Sequence, residues 1–315
     1  MSKVIIGIHG LGNKPRKEIL SKWWKESIDE GLKNIGKSNL EYEFDLIYWA
    51  DILNEKPLDE IEKAQTSKFF VSEKYIPSDK NFIPKKVELK SLVDQFLYNQ
   101  FDKIFYDPDF IKNHELISEF ISNKYFKELG IYYSNKAEYK DYRNIIIYRI
   151  LSRLKKHENK EILLITHSMG SIIIYDILTK FFPKFKIEKL LTVGSPLGLP
   201  IILEKIKSEL NITGHPKTPE SVKEWINFAD PEDKIAHNSN YSEFYDANSL
   251  GVVPTNYFIT NDYEICGQRN PHKAYGYLRA AKFSEIIFEF LSQKEKSWLS
   301  KKFESFKQKF LWLPK

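Results

Sequence analysis

The chain has 315 residues, 42% of them hydrophobic, which suits one large domain or two small ones with a sizeable core. Its net charge of +5 is spread mostly over scattered lysines, with no arginine-rich cluster, zinc-finger spacing or RNA-binding aromatic motif, so nucleic acid is not an expected partner. A lone cysteine, Cys266, rules out an intrachain disulfide, and no run of about 18 uncharged apolar residues is present to span a membrane.

Met1-Ser2-Lys3 enters an apolar run directly, without an apolar leader or a small-residue cleavage site. With the lone cysteine, this predicts a reducing, cytoplasmic setting. Val4 to Ile8 predicts a buried strand that ends at His9-Gly10-Leu11-Gly12-Asn13. Gly7, Gly10 and Gly12 do not have the G-x-G-x-x-G spacing of a dinucleotide loop. Glycines just past a strand can instead let Leu11 present its N–H as half of an oxyanion hole. His9 reads as a structural hydrogen-bonder rather than an acid or base. Pro15 opens a helix with Trp23, Trp24, Ile28 and Leu32 on one face, and Glu43 to Trp49 predicts the second strand.

A long connection follows. Leu89, Leu92, Val93, Phe96 and Leu97 recur at helical spacing and continue to Phe101, Ile104 and Phe105. Phe110, Ile117, Phe120, Ile121 and Tyr125 make a second stripe. The expectation is a helical insertion over residues 55–136, either a lid with an apolar inner face or a plain helical layer. A further helix from about Ala137 to His157 leads back to the sheet.

Ile162-Leu163-Leu164-Ile165 then runs into Thr166-His167-Ser168-Met169-Gly170-Ser171, and Ile172-Ile173-Ile174-Tyr175 runs out. Strand, small-residue turn and helix is the expected order. Such a turn lifts Ser168 onto a strained corner and points the Met169 N–H at whatever Ser168 attacks. Gly170 allows close packing of the turn. Lys189 to Val193 predicts a strand ending at Gly194-Ser195-Pro196, with Ser195 as a site wall. Val222 to Ala229 predicts another, ending at Asp230-Pro231-Glu232-Asp233. Tyr257 to Thr260 is the last predicted strand. Asn270-Pro271-His272 and a helix carrying Tyr275, Leu278, Ile286, Ile287 and Phe290 follow it. Strands alternating with helices predict an α/β fold, a mostly parallel central sheet flanked by helices, with functional groups beyond the strands' carboxyl ends.

The segments I-G-I-H-G-L-G, L-I-T-H-S-M-G-S, T-V-G-S-P-L-G-L-P, W-I-N-F-A-D-P-E-D-K-I-A and N-P-H-K-A-Y together resemble the α/β-hydrolase superfamily, in particular its bacterial lipase- and esterase-like members. The likeness covers roughly residues 3–50 and 140–292. Thr166 departs from the family's G-x-S-x-G, where a first glycine is usual. The resemblance implies a core of residues 1–54 and 137–293, and a serine esterase acting through an acyl-enzyme on a small-molecule or lipid ester; the helical insertion of 55–136, expected as a cap, and the tail lie outside the likeness, and their apolar residues point to acyl esters of lipids or lysolipids. It implies catalytic Ser168, Asp233 and His272, oxyanion donors Leu11 and Met169, and motif support from His9, Gly10, His167 and Gly170. No metal or organic cofactor is required.

Chemistry points to the same residue types: a serine hydroxyl needs a base, imidazole suits that exchange near neutrality, and a carboxylate sets the imidazole tautomer. Asp230 is the alternative acid, or a residue that caps its own turn. His215 and His237 are weaker candidates for the base, and Cys266 lacks the turn a nucleophile needs. Two other readings stay open: a silent fold used as a membrane or protein interaction module, and an acyltransferase. Residues 294–315 carry Leu299, Phe303, Phe306, Phe310 and Leu313 on one helical stripe beside several lysines. That helix either lies peripherally on a membrane surface or packs on the body or a second subunit. Oligomeric state is not readable from the sequence.

Overall fold

The computed structural model describes residues 2–79, 127–133, 137–236 and 239–293. Its centre is a sheet of β1 (Lys3–Ile8), β2 (Glu43–Ile47), β3 (Glu161–His167), β4 (Lys189–Val193), β5 (Trp225–Ala229) and β6 (Thr255–Phe258). The strands lie in the order β2-β1-β3-β4-β5-β6, and every neighbouring pair is parallel. Parallel strands need crossover connections, and these put helices on both faces. The connections carry α1 (Lys17–Asn34), α2 (Lys127–Tyr133), α3 (Ala137–Lys155), α4 (Met169–Asp176) and α5 (Pro200–Leu210). After β6 come α6 (Ala274–Leu278) and α7 (Ala281–Ser292).

A strand covered on both faces reads as a near-continuous apolar run rather than an alternating one. In β3, Ile162 and Leu164 enter one core while Leu163 and Ile165 enter the other. The first core lies under α2, α3, α4 and α5, the second under α1, α6 and α7. Leu20, Trp24, Ile28 and Leu32 recur every four residues along α1 and are all buried. Each such side chain contributes roughly 1.5–3 kcal/mol on full burial. Helix α4 is buried at every position, so Ile172, Ile173 and Ile174 run together rather than in a stripe, and its buried Asp176 is paired with Arg143 and Lys180.

The chain starts in the sheet's interior, turns to β2 on one side of β1, and then crosses to β3 on the other. The loops after β1 and β3 therefore leave in opposite directions. The crevice between them, at the carboxyl ends of the strands, is where an open α/β sheet places its ligand.

Several boundaries differ from the sequence expectation. Strand β2 stops at Ile47, short of Trp49, because Trp49 leaves the sheet to stack on His9. Strand β5 starts at Trp225, and Val222 makes only an isolated bridge to Ile187. The final helix is two helices, broken where Ala280 takes an extended ψ of 140°. A hairpin of β7 (Glu264–Ile265) and β8 (Gln268–Arg269) went unpredicted. Its turn residues Cys266 and Gly267 have φ of 52° and 73°. That is the pattern of a primed hairpin turn, usually signalled by Asn-Gly or Asp-Gly. Residues 55–79 hold no helix. Pro57 and Pro77 interrupt the stretch, and bridges Pro15–Leu58 and Asp59–Phe70 anchor it. The apolar stripes of residues 89–125 and 299–313 lie outside the described residues. No helix among the described residues is long and apolar enough to cross a membrane.

Candidate active site

Strand β3 ends at His167 and α4 begins at Met169, so Ser168 is the whole of the turn between them. Its φ of 53° and ψ of −129° are a conformation that side chains rarely adopt. The corner is held by the Ser168 N–H, which donates to the Val193 carbonyl of β4 at 3.2 Å. Strain of this kind persists only where the surroundings over-determine it. They do so here through close packing. A Cβ on Gly170 would lie 2.8 Å from the His9 carbonyl oxygen and 2.9 Å from that of Ile8. A Cβ on Gly10 would lie 2.6 Å from the Ser168 Cβ. Thr166, in place of the usual glycine, is accommodated by a hydroxyl contact with Ser171 at 3.0 Å.

Three strand ends converge on this corner. His272 Nε2 lies 3.1 Å from Ser168 Oγ, and His272 Nδ1 lies 2.9 Å and 3.0 Å from the two Asp233 oxygens. With Nδ1–H donating to the carboxylate, the Nε2 lone pair faces the serine hydroxyl. Asp233 is 1% exposed and also accepts from the Tyr277 hydroxyl at 2.8 Å and the Ile235 N–H at 3.0 Å. The His272 loop is pinned on all sides. Its N–H donates to Asn270 Oδ1 at 3.0 Å, and Asn261 Nδ2 donates to the carbonyls of Pro271 and Lys273 at 2.9 Å and 2.8 Å.

His167 adjoins Ser168 in sequence but serves His272. Its Nε2–H donates to the His272 carbonyl at 2.8 Å, and the two rings lie 4.9 Å apart. Burial holds the His167 pKa well below the ordinary imidazole value, so the ring is neutral.

Asp230 does not reach His272. It accepts from the N–H groups of Asn261 and Glu232 at 2.6 Å and 2.8 Å and pairs with Arg269 of the hairpin. It caps its own turn and anchors β7–β8. Ser195 Oγ caps the turn into Leu197 at 3.4 Å, and its carbonyl accepts from Tyr241. His215 is exposed beside Asp246, and Cys266 is exposed in the hairpin turn. His237 lies outside the described residues. Tyr277 had no signal in the sequence, because only the fold brings its hydroxyl between Asp230 and Asp233.

Met169 is the first residue of α4, so its N–H has no intrahelical acceptor. Among the described residues the Leu11 N–H has no acceptor either. His9 sets where that N–H points. His9 Nδ1–H donates to the Gly10 carbonyl at 2.9 Å, and Nε2 accepts from the Trp49 N–H at 3.1 Å. In a planar trans peptide, N–H and C=O point in opposite directions. Holding the Gly10 carbonyl therefore turns the Leu11 N–H the other way. The His9 ring also stacks on Trp49 at 5.0 Å.

Both His9 nitrogens are committed to the neutral ring, and burial drives its pKa from 6.5 down to about 3. An unfolded chain binds this proton below 6.5 while the folded chain does not. Stability from His9 is thus complete above 6.5 and lost as pH falls toward 3, at about 1.4 kcal/mol per pH unit. Denaturant unfolding between pH 7 and pH 5 should show a slope for His9→Gln that is shallower than wild type by about one proton. Equal slopes would mean that His9 is protonated in the fold.

No family model matches the chain. Over 94 residues the chain is 29% identical to a probable mitochondrial phospholipase of Saccharomyces cerevisiae. The match takes in 29% of this chain and 13% of the yeast protein, so the chain spans a small fraction of that relative's length. The likeness is thus to a probable phospholipase over a short stretch, on a chain whose fold is a parallel α/β sheet. Among the described residues, no three His, Cys, Asp or Glu side chains gather as metal ligands would.

Proposed function

We propose that the protein is a serine hydrolase of the α/β-hydrolase kind that cleaves carboxylic esters, with acyl esters of lipids or lysolipids as its substrates. The observation that carries this reading is the hydrogen-bonded relay from Ser168 Oγ through His272 to Asp233, on a strained corner beside two N–H groups. Ser168 Oγ attacks the ester carbonyl carbon while His272 Nε2 takes its proton. The oxyanion of the tetrahedral intermediate is held by the N–H groups of Leu11 and Met169. The C–O bond of the ester then breaks, His272 returns the proton to the departing alcohol, and the acyl group stays on Ser168. Water repeats the attack with His272 as base, which releases the carboxylate and restores the serine. Asp233 fixes the imidazole tautomer and stabilises the imidazolium.

The lipid preference rests on the similarity to a probable phospholipase. Peripheral contact with a membrane surface through residues 294–315 belongs to the same proposal. The test is a series of p-nitrophenyl esters from acetate to decanoate. Each added CH₂ that is buried gains about 0.8 kcal/mol, roughly fourfold in kcat/KM, until the pocket is full. A flat or falling series would leave a small-ester hydrolase. Transfer of the acyl group to an added alcohol in preference to water would make it an acyltransferase.

A further inference from the structure

The loop after β1 is gripped by side chains from elsewhere in the chain. The Gly12 N–H donates to Glu128 Oε2 at 2.7 Å, and the Leu11 carbonyl accepts from Lys14 Nζ. Both polar groups of the one peptide that joins Leu11 to Gly12 are therefore held. Glu128 stands on α2, within the long connection between β2 and β3 and one helix before its end. Its other oxygen accepts from Asn54 Nδ2 at 3.2 Å, where that connection begins. Asn54 is itself tied to the Ala50 carbonyl at 2.9 Å. One carboxylate thus joins α2 and the start of the connection to the loop that carries the Leu11 N–H.

We propose that Glu128 is a positioning residue for the oxyanion loop: by holding the Leu11–Gly12 peptide it fixes the Leu11 N–H toward Ser168. This rests on the reading of Ser168 as nucleophile. The peptide before Leu11 is held by His9 and the peptide after it by Glu128 and Lys14, so the residue cannot rotate to turn its N–H away. Gly12, with φ of 85°, would otherwise leave the loop free to relax. A carboxylate beside a developing oxyanion would oppose it. Lys14 lies across the same peptide and offsets that charge; burial, with the nearby Lys273 ammonium, lowers the Lys14 pKa to about 8, and Glu128 opposes that shift.

The test uses the full chain and three variants. Glu128→Gln keeps shape and an acceptor oxygen. Glu128→Asp keeps the charge but falls one CH₂ short. Glu128→Ala removes the contact. The readouts are kcat and KM on a soluble short-chain ester, and affinity for an alkyl boronic acid that mimics the tetrahedral intermediate on Ser168. Loss of one oxyanion donor costs about 10²–10³ in kcat, and a misaimed donor costs part of that. Glu128→Ala is expected to lose about 10–100-fold in kcat with KM little changed, and Glu128→Asp about tenfold. Boronate affinity should fall by the same factor as kcat/KM, and Glu128→Gln, which can keep the Gly12 bond but turns its NH2 toward the Asn54 donor, should lose less than Glu128→Ala. If kcat is unchanged in Glu128→Asp and Glu128→Ala, or if Glu128→Gln is as damaged as Glu128→Ala, the proposal is overturned. A wild type that neither hydrolyses esters nor binds the boronate would instead remove the reading of Ser168 on which it rests.

Discussion

Replacing Ser168 with alanine is expected to abolish covalent labelling by a fluorophosphonate and to cut ester turnover on the order of 10⁴–10⁶-fold. The probe reacts only with a serine that a base has activated, and His272 Nε2 is 3.1 Å from Ser168 Oγ. Loss of the hydroxyl removes attack itself, which is why the effect should exceed that of any other single change. Fold integrity can be checked through an informative companion. Ser168 sits at φ 53°, ψ −129°, where glycine is at ease and other residues are strained. Ser168→Gly should therefore unfold at a higher denaturant midpoint than wild type, by about 1 kcal/mol, while being equally inactive. Persistent labelling of Ser168→Ala at Ser171 or Ser195 would overturn the assignment. Both hydroxyls are buried and engaged with their own turns, Ser171 with Thr166 and Ser195 with Leu197.

Asp233→Asn is expected to lower turnover by roughly 10²–10⁴-fold with little change in KM, because an amide can donate to His272 Nδ1 and so favour the wrong tautomer. The same change at Asp230 should act differently. Asp230 holds Arg269 and two backbone N–H groups, so Asp230→Asn should loosen the β7–β8 hairpin and lower thermal stability while costing less turnover. Steady-state kinetics beside a thermal melt separate the two outcomes. A larger loss of turnover at Asp230 would reverse the ranking. Tyr277→Phe offers a milder probe of the same carboxylate, since it removes a 2.8 Å hydrogen bond to Asp233 and the partner of the Asp230 N–H together.

Much of this arrangement was legible in the sequence because its signals are local. A strand buried on both faces reads as a near-continuous apolar run, so Ile162 to Ile165 announced itself, as did Val4 to Ile8. A serine between such a strand and an apolar helix, followed by Gly170, marked the corner, and the parallel sheet then required the loops after β1, β3, β4 and β5 to meet at one edge. Helix α1 was legible from its apolar spacing.

What the sequence left open are matters of distance between residues far apart in the chain. Asp230 and Asp233 are equivalent as letters. They are separated by a turn that aims one carboxylate at Arg269 and the other at His272. The hairpin that makes that choice was hidden because Cys266 at its turn is not a residue that signals positive φ. His167 adjoins Ser168 in the sequence, and only the fold carries its ring across to the carbonyl of His272. Tyr277 and Glu128 carried no signal, because the partner of each is set by how helices dock rather than by a neighbour in the chain. Sequence determined which chemistries were available and at which edge of the sheet. Tertiary structure decided which side chains share it, since a hydrogen bond is made or lost within a few tenths of an ångström and only packing controls distance on that scale.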